Sequence, residues 1–297
     1  MSAKIIDGKV LATKVRNEVS KAVLELTKKN ITPGLATVIV GNDAASSVYV
    51  KYKGKFAKEV GIKSFQYSLS EFVTENELLK LINDLNLNKD IDGILVQLPL
   101  PKQINSEIIL NAVEPSKDVD GFNILNAGNI YLNRVGVIPC TPLGCLIMLR
   151  SITKSLKGMH AVIIGRSNIV GKPMAQLLLN EDCTVTTVHS KSNNIQKIVK
   201  EADIIVAAVG IPNLVKESWV KKGAIVIDVG INRIHYEDKV KLVGDVDFKE
   251  VESLASFITP VPGGVGPMTI ACLLMNTVFQ CSRKNNLALP SNLVDLF

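Results

Sequence analysis

Histidine, tryptophan and aromatic residues are scarce: three histidines, one tryptophan and 5% aromatics in 297 residues. Lysines are spread along the chain at helical spacing and interleaved with glutamate, rather than gathered on one face. Nucleic-acid binding needs a clustered basic face, preferably with exposed rings, so no nucleic-acid partner is expected. The net charge of +6 is then a mild positive field that suits a polyanionic small molecule. Cys140, Cys145, Cys183, Cys272 and Cys281 are scattered, none two residues from another, and the histidines do not cluster near them. They read as buried free thiols, and no metal site is expected. No apolar run reaches the ~18–20 residues a membrane span needs. The N-terminus, Met1 to Gly8, lacks the apolar core and cleavage pattern of a signal peptide. A cytoplasmic protein with no membrane partner is the expectation.

The composition is otherwise ordinary, with 47% apolar and 21% charged residues, enough to bury a substantial core. Helix and strand patterns alternate almost throughout. Apolar residues at helical spacing from Gly8 to Lys29 predict a helix, and β-branched Leu35–Val40 a strand. A helix over Ala44–Val60, a strand over Lys63–Leu69, a helix over Thr74–Leu85, a buried strand over Asp92–Gln97 and a short helix over Asn105–Val113 follow. Gly121–Ile138, rich in Asn and Gly, suggests loops. A second series predicts helices over Pro142–Leu149, Lys172–Leu179, Asn194–Lys200 and Met268–Cys281. Its strands are expected over Ala161–Ile164, Thr184–Val188, Asp203–Ala208 and Ala224–Val229. Alternation of this kind implies an α/β fold with parallel sheets covered on both faces. Two αβ units joined near residue 140 are the simplest division.

The stretch Lys157–Lys191 has the order strand, glycine turn, helix, strand that holds a dinucleotide. Glycines in Gly165-Arg-Ser-Asn-Ile-Val-Gly171-Lys-Pro173 let backbone N–H groups approach a pyrophosphate at a helix N-terminus. The spacing departs from G-x-G-x-x-G, because Ser167 stands where a second glycine is usual. A tight turn without a ligand would also explain it. The second strand ends His189-Ser190-Lys191, with no carboxylate to bind a ribose 2′-hydroxyl. Arg166 in the turn, with Ser190 and Lys191, suits a 2′-phosphate instead, so NADP is favoured over NAD. The alternative is that Arg166 and Lys191 merely face water.

The first half carries a misplaced lysine. At ~100° per residue, Tyr49, Tyr52, Phe56 and Val60 share one face of a helix, with Lys51, Lys55 and Lys58 opposite. Lys53 falls on the apolar face. It either snorkels or sits desolvated with a lowered pKa, available for acid–base work. Gln97 ends a strand at the carboxyl edge, where α/β folds bind ligands. Asp118 and Asp120 share a loop, and either could cap a turn or meet a ligand. Pro260-Val-Pro-Gly-Gly-Val-Gly-Pro267 alternates stiff and permissive residues, as a ligand loop or a buried structural loop would.

Eight runs, in order from about Lys4 to Cys281, together resemble the bifunctional methylenetetrahydrofolate dehydrogenase/methenyltetrahydrofolate cyclohydrolase family. They are Tyr49–Lys53, Asp92–Pro101, Lys117–Phe122, Pro139–Pro142 with Gly144, Gly165–Pro173, Asp228–Arg233, Val243–Val246 and Ile258–Thr269. The resemblance implies two α/β domains around a cleft, the second a Rossmann-type NADP-binding domain. Residues 1–139 would form the folate-binding catalytic domain, completed by a helix over 268–283. Residues 140–267 would bind NADP, and 284–297 would be a tail. It implies oxidation of 5,10-methylenetetrahydrofolate with NADP, then hydrolysis to 10-formyltetrahydrofolate, by a homodimer. It implies catalytic roles for Lys53, Tyr49, Gln97 and Asp120. Folate contacts would add Val96, Leu98, Pro262, Gly263, Gly264, Val265 and Gly266. Cofactor contacts would be Gly165, Arg166, Ser167, Ser190 and Ile231. The nearest alternative is a dehydrogenase with a weak or absent cyclohydrolase step.

Overall fold

A computed structural model describes residues 2–41, 44–236, 239–294 and 296, with the side chains of 44–49, 235, 236 and 239 outside the described set. The chain opens with β1 (Lys4–Ile5) and α1 (Gly8–Thr27), then β2 (Gly34–Val40), α2 (Ala44–Glu59), β3 (Lys63–Leu69), α3 (Glu75–Leu87) and β4 (Gly93–Val96). Helices α4 (Ser106–Ala112), α5 (Ile124–Tyr131) and α6 (Cys140–Arg150) lead to β5 (His160–Ile164), α7 (Gly171–Asn180) and β6 (Thr184–Val188). There follow α8 (Ile195–Val199), β7 (Ile204–Ala207), β8 (Ile225–Asp228), the hairpin strands β9 (Asn232–Tyr236) and β10 (Lys239–Val243), and α9 (Phe248–Val251). The chain closes with β11 (Phe257–Ile258), α10 (Val265–Lys284) and α11 (Ser291–Val294).

Two compact units divide this chain. The first comprises Thr13–Cys140 with Ile270–Phe297, the second Met1–Ala12 with Thr141–Thr269. The sequence places residues up to 139 in one domain. The backbone instead pairs β1 with β11, so the N-terminal strand is an edge of the second unit's sheet. A two-residue strand carries too little pattern to show its partner in sequence.

The first unit holds a three-stranded parallel sheet in the order β3-β2-β4. All seven residues of β2 are buried, as expected of a central parallel strand covered on both faces. Apolar residues of the sheet pack with Leu78, Ile82 and Leu85 of α3 and Ile109 of α4 in one core. Helix α3 starts at a capping box, in which Thr74 and Glu77 satisfy each other's backbone N–H groups. At its other end the Lys117 ammonium donates to the carbonyls of Leu85 at 3.0 Å and Asn88 at 2.7 Å. A cation on those orphan carbonyls stabilises a helix by about 0.3–1 kcal/mol, more when half-buried.

The second unit holds a six-stranded parallel sheet in the order β1-β11-β8-β7-β5-β6. From β5 the chain moves outward to β6, then returns to the other side of β5 as β7. The carboxyl ends of β5 and β7 therefore flank the switch point where such sheets bind ligands.

Three sequence expectations change. The Asn- and Gly-rich stretch 121–138 is not all loop: it contains α5, started by Asn123, whose side chain accepts from the Leu125 N–H. The hairpin β9–β10 was not expected, because its strands alternate charged and apolar residues with no regular turn signal. Among the described residues one helix, α10, is long and apolar enough to cross a membrane by length and composition, although 83% of its apolar window is buried inside protein. Asn276, Thr277, Gln280 and Ser282 break the apolar run in sequence, yet all four are buried. Gln280 donates to the Pro115 carbonyl at 2.8 Å and Thr277 to Leu273 at 2.9 Å, so α10 packs as a core helix whose buried polar side chains are met in part by protein carbonyls.

Candidate active site

Helix α2 turns Val50, Lys53 and Ala57 inward, with Val60 buried just past its end, and leaves Lys51, Lys55 and Lys58 exposed. Tyr52, expected on the apolar face, is exposed instead and stacks on Phe56, ring centroids 6.0 Å apart. The inward stripe is thus rotated toward Lys53, which is only 7% exposed. The Tyr49 side chain lies outside the described residues.

An ammonium there needs an acceptor, and β4 supplies it. The Gln97 N–H continues the sheet ladder to the Val38 carbonyl at 2.8 Å. The Gln97 amide in turn accepts from the Lys53 ammonium at 2.9 Å and donates to the Leu98 carbonyl at 2.7 Å. Donation to Leu98 fixes the orientation of the amide, so its oxygen faces the lysine. Val96 is buried and Leu98 half-buried on either side.

The two aspartates divide the alternatives left open by the sequence. Asp118 is buried and accepts from the N–H groups of Gly121 at 2.9 Å and Asn123 at 2.8 Å, and from the Asn126 amide at 2.9 Å. It shapes the turn. Asp120 is left facing Lys53. Burial pushes the Asp120 carboxyl up to about 6; the Lys53 charge and a hydrogen bond with Cys140 pull it back, while Asp118 adds to the rise. Burial lowers the Lys53 pKa, against the opposing pull of Asp120 and then Cys140. The result is a half-buried acid and a buried base that feel each other's charge, each shifted toward neutrality and each partly sustained by the other.

Cys140 was expected to be a buried free thiol, and it is. It donates to the Val119 carbonyl at 3.2 Å and lies near enough to Asp120 to influence its carboxyl. Burial and then the Asp120 charge push its thiol well above the usual range, so it serves as a neutral neighbour rather than a thiolate. Its place in the run Pro139–Pro142, at the start of α6, was the available signal. Beside this set, an open groove of about 610 Å³ lies at the carboxyl ends of β2, β3 and β4, lined by Val40, Gly41, Glu71, Phe72, Pro99 and neighbouring residues. Lys53, Gln97 and Asp120 do not line it.

In the second unit the glycine turn sits on the switch point. Gly165 has φ +119°, and a Cβ there would stand 2.3 Å from the Ala208 carbonyl oxygen; one at Gly171 would stand 2.4 Å from the Gly165 oxygen. Both glycines allow backbone to close on backbone, which explains the displaced second glycine. Ser167 takes a role the sequence did not show. Its hydroxyl accepts from the N–H groups of Val170 and Gly171, both at 3.2 Å, and its carbonyl accepts from Lys172 at 3.0 Å. The first N–H groups of α7 are therefore engaged by Ser167. Arg166, Ser190 and Lys191 are exposed, with no carboxylate at the end of β6.

Two buried aspartates that the sequence did not single out hold the neighbouring strand ends. Asp228 accepts from Gly230 at 3.0 Å, Asp245 at 2.9 Å and Val246 at 2.9 Å, all backbone N–H groups. Asp245 accepts from the N–H groups of Val209 at 2.7 Å and Gly210 at 3.0 Å, and from the Asn232 amide at 2.9 Å. Ile231, between these clasps, is 43% exposed. Burial outweighs the three N–H donors and pushes Asp228 up to about 7. The loop Pro262–Gly264 follows β11 and runs into α10 at Val265; Gly264 and Val265 are buried, Gly263 and Gly266 half-buried, and Pro262 exposed. Among the described residues no group of His, Cys, Asp and Glu could hold a metal ion.

Comparison with known proteins agrees with both halves of this description. Residues 6–120 match the tetrahydrofolate dehydrogenase/cyclohydrolase catalytic domain, and residues 139–285 match the NAD(P)-binding domain of the same family. The bifunctional protein FolD 1/3 of Ruegeria pomeroyi is 54% identical over 294 residues, 99% of each chain. The crystal structure of the bifunctional FolD enzyme of Campylobacter jejuni superposes with a TM-score of 0.92 at 49% identity, covering 96% of this chain and 100% of that one. The FolD of Trypanosoma brucei, complexed with NADP cofactor and inhibitor, gives a TM-score of 0.93 at 38% identity, covering 96% and 99%. The chain belongs to the tetrahydrofolate dehydrogenase/cyclohydrolase family.

Proposed function

We propose that this chain carries out two successive reactions on one folate: NADP-dependent oxidation of 5,10-methylenetetrahydrofolate, then hydrolysis of the 5,10-methenyl product to 10-formyltetrahydrofolate. The observation that carries this is the buried Lys53, bonded to Gln97 and facing Asp120, in a chain whose other unit presents a glycine turn at its sheet's switch point.

NADP, when bound, accepts a hydride from the methylene carbon. Gly165, Arg166, Ser167, Ser190 and Ile231 would hold it. The fit is chemical: Gly165 and Gly171 keep the turn free of side chains, and Arg166 and Ser190 are exposed where a 2′-phosphate needs a cation and a hydroxyl.

Hydrolysis needs a base for the attacking water and an acid for the departing ring nitrogen. Water adds to the methenyl carbon and gives up one proton; the adduct's hydroxyl then loses its proton to form the formyl carbonyl as the carbon–nitrogen bond breaks and the nitrogen takes a proton, so that one proton is released overall. Lys53, with its pKa lowered by burial, can hold the water's proton and return one to the nitrogen. Gln97 aims the lysine. Asp120 accepts hydrogen bonds from the pterin and, when ionised, favours the protonated lysine. Tyr49, one turn before Lys53, orients the folate ring system, with Val96 and Leu98 beside it. The loop Pro262–Gly266 lines the folate site, its glycines permitting close approach. The protein acts as a homodimer in the cytoplasm, as the family resemblance suggests.

The direct test is hydrolysis of isolated 5,10-methenyltetrahydrofolate by purified protein without cofactor. Enzyme-dependent hydrolysis well above the spontaneous rate is expected. A rate at background, with dehydrogenase activity intact, would favour the single-activity alternative.

A further inference from the structure

Resting on the folate reading of the Lys53 site, the geometry points to one further member that does not reach the substrate. We propose that Asn276 is a positioning residue: by tying the carbonyls of Val119 and Ile138 together, it fixes Asp120 and Cys140 in place against Lys53.

Asn276 lies on α10 and is fully buried. Its amide nitrogen donates to the Val119 carbonyl at 2.8 Å and the Ile138 carbonyl at 2.9 Å, and stands 3.5 Å from the Cys140 sulfur. Val119 directly precedes Asp120, and Ile138 lies two residues before Cys140. One side chain thus pins both segments that carry the groups facing the lysine. The segments are already in contact: a Cβ at Gly121 would lie 2.8 Å from the Pro139 nitrogen. The Val119 carbonyl also accepts from the Cys140 thiol at 3.2 Å, so one oxygen serves the amide and the thiol together.

The energetics argue that the amide is kept for these donations. The Asn276 side-chain oxygen has no hydrogen-bond partner among the described residues. A buried acceptor without a donor is costly, and a leucine of similar volume would fill the space on this apolar helix without that cost. Removing the two donations would deprive the Ile138 carbonyl of this donor and leave the Val119 carbonyl only the weak Cys140 thiol, and the segments would separate or admit water. Every titratable group around Asp120 would feel that change: Lys53 on α2, Asp118 on the same turn, Cys140 on α6, and Cys272 on α10 beyond Cys140.

The experiment compares full-length wild type with Asn276→Leu and Asn276→Ala. Read-outs are kcat and KM for both folate reactions, NADP affinity, thermal unfolding, and the pH titration of the Asp120 carboxyl carbon by NMR. In Asn276→Leu, cyclohydrolase kcat should fall on the order of 100-fold, the loss that a displacement of about 1 Å in a reacting group produces. The Asp120 midpoint should move from about 6 toward the ordinary aspartate range as water reaches it, while NADP affinity stays unchanged. A folded Leu variant with wild-type kcat and an unmoved Asp120 titration would overturn the proposal. If Leu does not fold, the Ala variant gives the same two readings and decides in the same way. A wild type that turns over no folate would sink the functional reading, while the NMR titration would still decide whether Asn276 positions Asp120.

Discussion

Replacing Lys53 with methionine keeps the length and apolar stem of the side chain and removes the ammonium. On the stability side two effects oppose. The hydrogen bond to Gln97 at 2.9 Å is lost, worth about 1.5–3 kcal/mol when one partner is charged. Against that, a cation whose pKa is lowered chiefly by burial no longer has to be buried. The net change should be about 1 kcal/mol or less in either direction, so the variant should fold. The effect on chemistry is larger. Loss of a positioned acid–base group costs about 10²–10⁴ in rate, or roughly 2.7–5.4 kcal/mol of barrier at 1.36 kcal/mol per decade. A third consequence falls on Asp120. The Lys53 charge holds that carboxyl down, so its midpoint should rise above about 6 in the variant. The assay is hydrolysis of isolated methenyltetrahydrofolate across the pH range, with NADP affinity and a thermal melt as controls for folding. Wild-type cyclohydrolase turnover in a folded Lys53→Met protein would refute the assignment.

Three further outcomes are expected. Asp120→Asn should impair folate use in both reactions; in wild type the folate kcat/KM should fall as pH drops through about 6, and that limb should be missing from the variant, so an unchanged profile would count against Asp120. Arg166→Ala should weaken NADP binding much more than NAD binding, by at least ~10-fold if a bidentate charge-assisted contact to the 2′-phosphate is lost, and equal losses in a binding titration would remove the basis for the preference. Burial pushes the Asp228 carboxyl up to about 7, from an ordinary aspartate value near 3.8, so the native state holds the extra proton; its contribution to stability is fully present below the unfolded pKa and is lost as pH rises to about 7, a change on the order of 4 kcal/mol. Asp228→Asn should flatten that slope in denaturant melts at successive pH values and leave the Val246 N–H short of an acceptor; an unaltered slope would show that Asp228 does not titrate in this range.

How much of this was legible follows from where the signal is local. Lys53 could be placed inward because helical periodicity alone fixes its angular position, although the same count put Tyr52 on the buried face, where sheet packing does not take it. The glycine turn was visible as chemistry, but the reason for its spacing was not. It depends on Gly171 meeting the Gly165 carbonyl and Gly165 meeting Ala208, contacts set by strand order. Asp118 and Asp120 are equivalent in sequence; only the turn geometry, in which Asp118 gathers two backbone N–H groups and an amide, frees Asp120 for the lysine. Cys140, Asn276, Asp228 and Asp245 act mainly through partners 13 to 157 residues away, and no local pattern announces such a contact. Helix α5 was missed for a different reason. Its Asn and Gly content reads as loop, while the cap at Asn123 and the buried Asn126 and Ile130 hold it helical, tertiary packing overriding weak propensity.

The central claim is that one chain couples an NADP-dependent oxidation to a lysine-assisted hydrolysis of the same folate. The most direct measurement supplies purified wild-type protein with 5,10-methylenetetrahydrofolate and either NADP or NAD, and follows reduced cofactor and 10-formyltetrahydrofolate together. Reduced cofactor and formyl product should both appear, faster with NADP than with NAD. Reduced cofactor without enzyme-dependent formyl product, or neither, would contradict the claim.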